Sequence, residues 1–173
     1  DQNAELEAAE LAAREERRTK ELQRAANEER EAQEREQLKQ LLVSGQRTPQ
    51  NIDEATLRWS AKSGSGIVAR PPLDADNAYY KLWGRLDLVN GENSYTFRQL
   101  EMDLTNAMYP RTVASARNFF IARPTRNAVI RGEIRVNTDY DLIGQFVGTT
   151  ERSLTSGETV YVPVFNVVFW DAD

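Results

Sequence analysis

Through the first 43 residues the apolar positions form no clean stripe: Leu6, Leu11, Leu22, Leu38, Leu41 and Leu42 are scattered through Ala, Glu, Arg and Gln. No Gly or Pro interrupts Ala4–Val43, and these residue types are strong helix formers. The stretch predicts an extended charged helix over residues 1–44, about 60 Å long, with Ser44 and Gly45 as its stop. Glu10 and Arg14, Glu16 and Lys20, and Glu31 and Arg35 stand four apart with the acid first, the favourable order. A heptad seam does run along the helix. Leu11, Arg18, Ala25 and Ala32 alternate with Ala8, Glu15, Leu22 and Glu29, so apolar and charged side chains share it. A parallel coiled coil wants Leu, Ile or Val at most such places. Three readings follow: a solvated single helix, a weak homo-oligomeric coiled coil, or a rod docked on a larger assembly. Leu11, Leu22 and Leu38 are its interface candidates.

Residues 45–55 are polar and contain Gly45 and Pro49, the signature of a linker. Lys62–Pro72 is a second breaker region, expected as a flexible loop or edge strand. Beyond it the period falls to two. Leu82, Leu86 and Leu88 share a strand face, Asn90-Gly91 offers a hairpin turn, and Leu100, Met102 and Leu104 alternate with polar residues on the return. Further strands are expected at 119–122, 128–137, 142–148 and 160–170, with a short connecting helix at 111–118. The expected fold is mainly β with a long N-terminal α-helix, residues 56–173 forming an antiparallel β-sandwich or barrel-like module of six or seven strands. In the last strand Val160, Val162, Val164 and Val168 share one face and Tyr161, Phe165, Val167 and Phe169 the other. Neither face suits water, so the strand is either central or covered by another subunit. Pro163 counts against a central place, and Phe165 and Phe169 join the interface candidates.

Composition agrees with this division and narrows the chemistry. All 15 aromatic residues lie between Trp59 and Trp170, so the roughly 115 residues after the rod must build the core. The chain has neither Cys nor His. That removes disulfides, thiolate and imidazole catalysis and the common zinc sites. The net charge of −5 lacks the basic footprint of a nucleic-acid binder. No apolar run reaches the ~20 residues that span a bilayer.

Three local patterns imitate sites. Gly64-x-Gly66-x-x-Ala69 has dinucleotide-loop spacing, but Pro71 and Pro72 stop the helix such a loop must open. Asn137-x-Asp139-x-Asp141 begins like a calcium loop, yet Leu142 stands where the turn needs Gly and Gly148 where it needs Glu. Glu101 and Asp103 share a strand face about 7 Å apart, within the range of paired-carboxylate chemistry, with no stacking aromatics tied to them. No cofactor, metal or catalytic residue is therefore expected.

The strongest local signal is Arg111, Arg117, Arg123, Arg126, Arg131 and Arg135, with Glu133 the sole acid between Tyr109 and Val136. Such a run serves internal or intersubunit ion pairs, or binds an anionic macromolecule such as a glycan, a lipid headgroup, or a small anionic ligand. After Arg47 the chain carries 11 Arg and 2 Lys, a bias that suits rigid interface pairs.

The sequence thus points to a non-enzymatic structural or adaptor subunit in which the helix is spacer or tether and the β module engages copies of itself or protein partners. By analogy of architecture the setting is the bacterial cell envelope or periplasm, with a phage virion attachment protein as the alternative. The start at Asp1 rather than Met favours the envelope.

Overall fold

The computed structural model describes residues 1–172. Helix α1 (Gln2–Val43) is exposed from Gln2 to Gln37 and ends at Ser44, with Gly45 at φ +79°, a left-handed turn that favours glycine. Its span is about 63 Å. Leu42 is its only fully buried side chain.

The linker expected over 45–55 turns instead into helix α2 (Ile52–Trp59). Asn51 caps it, its side chain accepting the Glu54 N–H at 2.9 Å. Ile52, Ala55 and Trp59 recur at helical spacing and pack against Ile143, Phe169, Tyr79, Val129 and Val168. α2 is thus a clamp, touching α1 on one side and the sheet on the other.

Of the flexible loop or edge strand expected at Lys62–Pro72, the structure makes a short edge strand, β1 (Lys62–Ser63), followed by the single turn α3 (Ser65–Ala69). Val68 of α3 enters the main core. Five long strands follow: β2 (Tyr79–Val89), β3 (Tyr95–Asp103), β4 (Arg111–Arg131), β5 (Asp139–Ser153) and β6 (Thr159–Ala172). The expected hairpin is β2–β3, joined through residues 90–94. Six strands form one mixed sheet in the order β1-β2-β3-β4-β6-β5. It is not the all-antiparallel arrangement expected, because β1–β2 and β4–β6 are parallel. β2 also pairs with β5, so the pairing runs in a cycle of five strands.

Inside the cycle stand Leu82, Leu86, Phe97, Phe120, Tyr140, Leu142, Phe146, Phe165 and Trp170. Gly84 lies among them because a Cβ there would stand 2.7 Å from the Phe120 ring.

Residues 111–118 are not a helix but the first part of β4, zipped to β3 from Asp103↔Arg111 to Leu100↔Ala114. The strands expected separately at 119–122 and 128–137 are joined in β4, and the gap between them, at Pro124, is a register shift that accommodates a residue without a ladder donor. β6 lies between β4 and β5, as its two apolar faces predict. Its alternation slips at Val168, where Val167 pairs with Gly144 and Phe169 with Ile143. Phe165 therefore faces the main core while Phe169 faces α2. Both are fully buried, so neither presents a surface to a partner.

The joint between rod and body is locked by Glu54. Its carboxylate accepts from Arg47 at 2.5 Å and from the Gln50 N–H at 3.3 Å. The Arg47 hydrogen bond holds the Glu54 carboxyl below the usual range, against burial, which pushes it up. A depressed carboxylate stabilises the fold above its unfolded value, about 4.3, and that contribution disappears as pH falls through the lower folded value. Acid titration followed by Trp59 fluorescence is expected to show α2 loosening below about pH 4. Glu54→Gln should remove this step and weaken the joint at neutral pH by roughly 1–2 kcal/mol.

Candidate interaction surface

The six arginines that stand out in the sequence do not gather into one patch. β4 carries five of them along its 21 residues, and each serves a different neighbourhood. Arg111 faces Asp103 at 3.8 Å, and Arg117 pairs with Glu158 on the β5–β6 loop. Arg131 lies 3.8 Å from Asp171 and reaches Gln50, before α2, at 3.5 Å. Arg135, in the loop after β4, pairs with its neighbour Glu133.

Arg123 and Arg126 are the exception. Both are exposed and have no ion pair among the described residues. Arg123 precedes and Arg126 lies within the β4 register shift, beside the β2–β3 turn, where the Asn93 side chain donates to the Pro124 carbonyl at 2.8 Å. Outside the original six, Arg98 and Arg152 lie over the Phe119 ring at 5.3 and 4.7 Å, and Arg98 also bonds Asp87 at 3.0 Å. Phe119, an outward-facing aromatic, is thereby closed off from solvent.

Two acids of the other patterns have partners within the chain. Asp139 accepts from Arg85 at 2.7 Å as β5 begins. Asp103 accepts hydrogen bonds from the Thr105 hydroxyl and N–H, which hold its carboxyl below the usual range, helped by nearby Arg111. A hollow of about 370 Å³ is lined by Asp103, Thr105, Asn106, Tyr109 and Arg111, but not by Glu101. Among the described residues no group of three or more acidic, His or Cys side chains is placed to hold a metal.

A different feature emerges at the far end of the β3–β4 hairpin. β2 leaves β3 after Gly84↔Gln99, and β6 joins β4 only from Ile121. Between those points, Leu100–Asp103 pairs with Arg111–Ala114 and nothing else in the sheet; Leu100 at the base is buried, and from Glu101 outward the segment forms a two-stranded arm. Its tip carries Met102, Leu104, Met108 and Tyr109, exposed at 49, 68, 82 and 71%. The tip is built rather than loose. Asp103 accepts the Thr105 N–H at 3.0 Å, and Asn106 accepts the Met108 N–H at 3.1 Å through its side chain and the Tyr109 N–H through its carbonyl. The signal for it was Leu, Met and Tyr in a loop, LTNAMYP, where turn chemistry calls for polar residues.

Of the expected interface leucines, Leu11 and Leu22 are exposed at 60 and 63%. Leu38 is half-buried and shares a groove with Leu57 of α2, so it is largely spent inside the chain. No protein family, no curated protein and no solved structure matches the chain.

Proposed function

We propose that the chain is a non-enzymatic structural or adaptor subunit of a larger assembly at the bacterial cell envelope, in the periplasm. The body grips a protein partner through the β3–β4 arm, and α1 spaces or tethers it. The observation that carries this reading is the apolar tip. Four large, exposed side chains at the end of one hydrogen-bonded arm contribute nothing to the chain's own core, and exposed apolar groups gathered on one short segment mark docking sites. The lack of His and Cys, and the use of the arginines and acids in mutual pairing, argue for holding rather than turnover. Among the described residues no helix is long and apolar enough to cross a membrane. The envelope setting rests on analogy of architecture alone.

A second reading has its own observation. We read the five-strand pairing cycle, with β4 and β6 parallel, as a small barrel wound like the Greek-key barrels that bind oligosaccharides and oligonucleotides along their second and third strands. Those strands correspond here to β3 and β4, where unpaired Arg123 and Arg126 would meet an anionic glycan or lipid headgroup. Phe119 weakens this reading, since the aromatic best placed to stack on a ligand is already covered by two guanidinium groups.

Paired variants separate the two. Leu104→Asp with Met108→Asp should reduce partner capture from an envelope extract at least tenfold while leaving thermal stability within about 0.5 kcal/mol, as exposed sites do. Arg123→Glu with Arg126→Glu should leave that capture intact. If only the arginine variant loses binding, and loses it to phosphatidylglycerol vesicles or an acidic glycan, the anionic-ligand reading replaces the first.

A further inference from the structure

The fold leaves most of α1 without company. α1 is solvent-exposed through Gln37, and among the described residues the one ion pair along it is Lys20–Glu16 at 2.8 Å. A long helix that is polar all round and sparsely stapled is poorly supported alone. Its seam also rejects a parallel twin. In register, Glu15 would face Glu15, Arg18 would face Arg18 and Glu29 would face Glu29.

Reversing one copy changes each of these meetings. We propose that α1 pairs with α1 of a second copy as an antiparallel coiled coil, its two-fold axis passing between Glu16 and Arg17. In this register Leu11 meets Leu22 of the second copy, Ala8 meets Ala25, and Arg18 meets Glu15, each contact occurring twice by symmetry. Glu29 faces only Ala4, and on the flank Arg14 stands beside Glu21. Glu7 beside Glu28 is the one like-charge pair and limits the affinity. A shift by one heptad in either direction would set Leu11 against Glu15 or Glu29, so apolar and charge matching select the same register.

Length agrees with pattern. The final seam layer brings Ala32 beside Asp1 of the second copy, whereas α2 begins to cover α1 only at Leu38. Two bodies therefore fit at opposite ends without collision, their rod ends about 80 Å apart. The surface named by Leu11 and Leu22 thus takes a second copy of this chain as its occupant. This deepens the tether reading, yet loss of the coil would leave binding at the arm tip intact, so the two fail separately.

The absence of Cys makes a single introduced thiol a clean reporter. With a short bismaleimide, a mixture of Leu11→Cys and Leu22→Cys full-length chains should crosslink, while either variant alone should not, because equivalent positions lie about 16 Å apart along the axis. In sedimentation, Arg18→Glu or Glu15→Arg should weaken association about tenfold, and the double exchange should restore it, with circular dichroism confirming the β body in every case. A full chain that stays monomeric at high concentration, Leu11→Cys that crosslinks by itself, or a double exchange no better than its parents would overturn the proposal.

Discussion

Trp170→Ala is expected to cost the β module about 3–5 kcal/mol, while Trp170→Phe costs far less. The indole is fully buried, with its ring 5.0 Å from that of Tyr95, 5.1 Å from Phe97 and 5.3 Å from Tyr140. β6 carries it between β4 and β5, opposite Ile130 and Leu142, so removing the ring opens a cavity where three strands meet. A loss of this size is a large share of the roughly 5–15 kcal/mol that domains possess. The phenylalanine variant differs because the indole Nε1 is buried without a hydrogen-bond partner. An unpaired buried donor costs about 1–3 kcal/mol, so removing it offsets much of the volume lost. Urea unfolding followed by the far-ultraviolet β signal decides the matter. Equal losses in the two variants would mean that the indole donor is satisfied in the folded protein.

How much of this was legible in the sequence depends on the range of the interaction. α1 could be read from residue propensity, and the β2–β3 hairpin from alternation around Asn90-Gly91, because both signals are local. α2 was also legible. Asn51 with Glu54 three residues on is an N-terminal capping pattern, and Ile52, Ala55 and Trp59 mark its apolar face, but the polar run before it read as linker. Residues 111–118 were missed for a different reason. TVASARN contains small residues that suit either state, and only pairing with Leu100–Asp103 decides for strand. Pro124 misled in the same way, since a register shift is set by the partner strand. The β2–β5 pairing that completes the cycle joins segments some 60 residues apart and leaves no local trace.

The arginine segment shows the same limit at the level of function. The run of six arginines is local in sequence, whereas their partners are set by the 21-residue course of β4. Arg111, Arg117, Arg131 and Arg135 each have an acid of the same chain as partner. The arm tip had a readable signal in LTNAMYP, but its meaning required knowing where β2 and β6 part from the hairpin.

Ala55→Glu is expected to sever the rod from the body without unfolding either. Ala55 is completely buried between α2 and the outer sheet face, against Ile143 and Phe169, with no space or partner for a carboxylate. Burying an unpaired charge there costs several kcal/mol, so the cheaper response is for α2 to lift off. The main core would persist, because the residues packed inside the strand cycle do not depend on α2. Limited proteolysis should then cut rapidly within residues 44–61, and Trp59 emission should shift to the red, while urea unfolding of the β module loses only the contribution of the uncovered Ile143 and Phe169. Ala55→Gly, which fits the same space, should leave the joint closed apart from about 1 kcal/mol of helix propensity. The consequence for function is mechanical. A spacer sets distance and direction only while its junction is rigid, so an undocked α2 should retain partner binding at the arm tip yet lose any assembly that requires a fixed angle between rod and body. Cooperative unfolding of the whole chain by Ala55→Glu would instead make α2 part of the core, and the rod a continuation of the fold rather than an attachment to it.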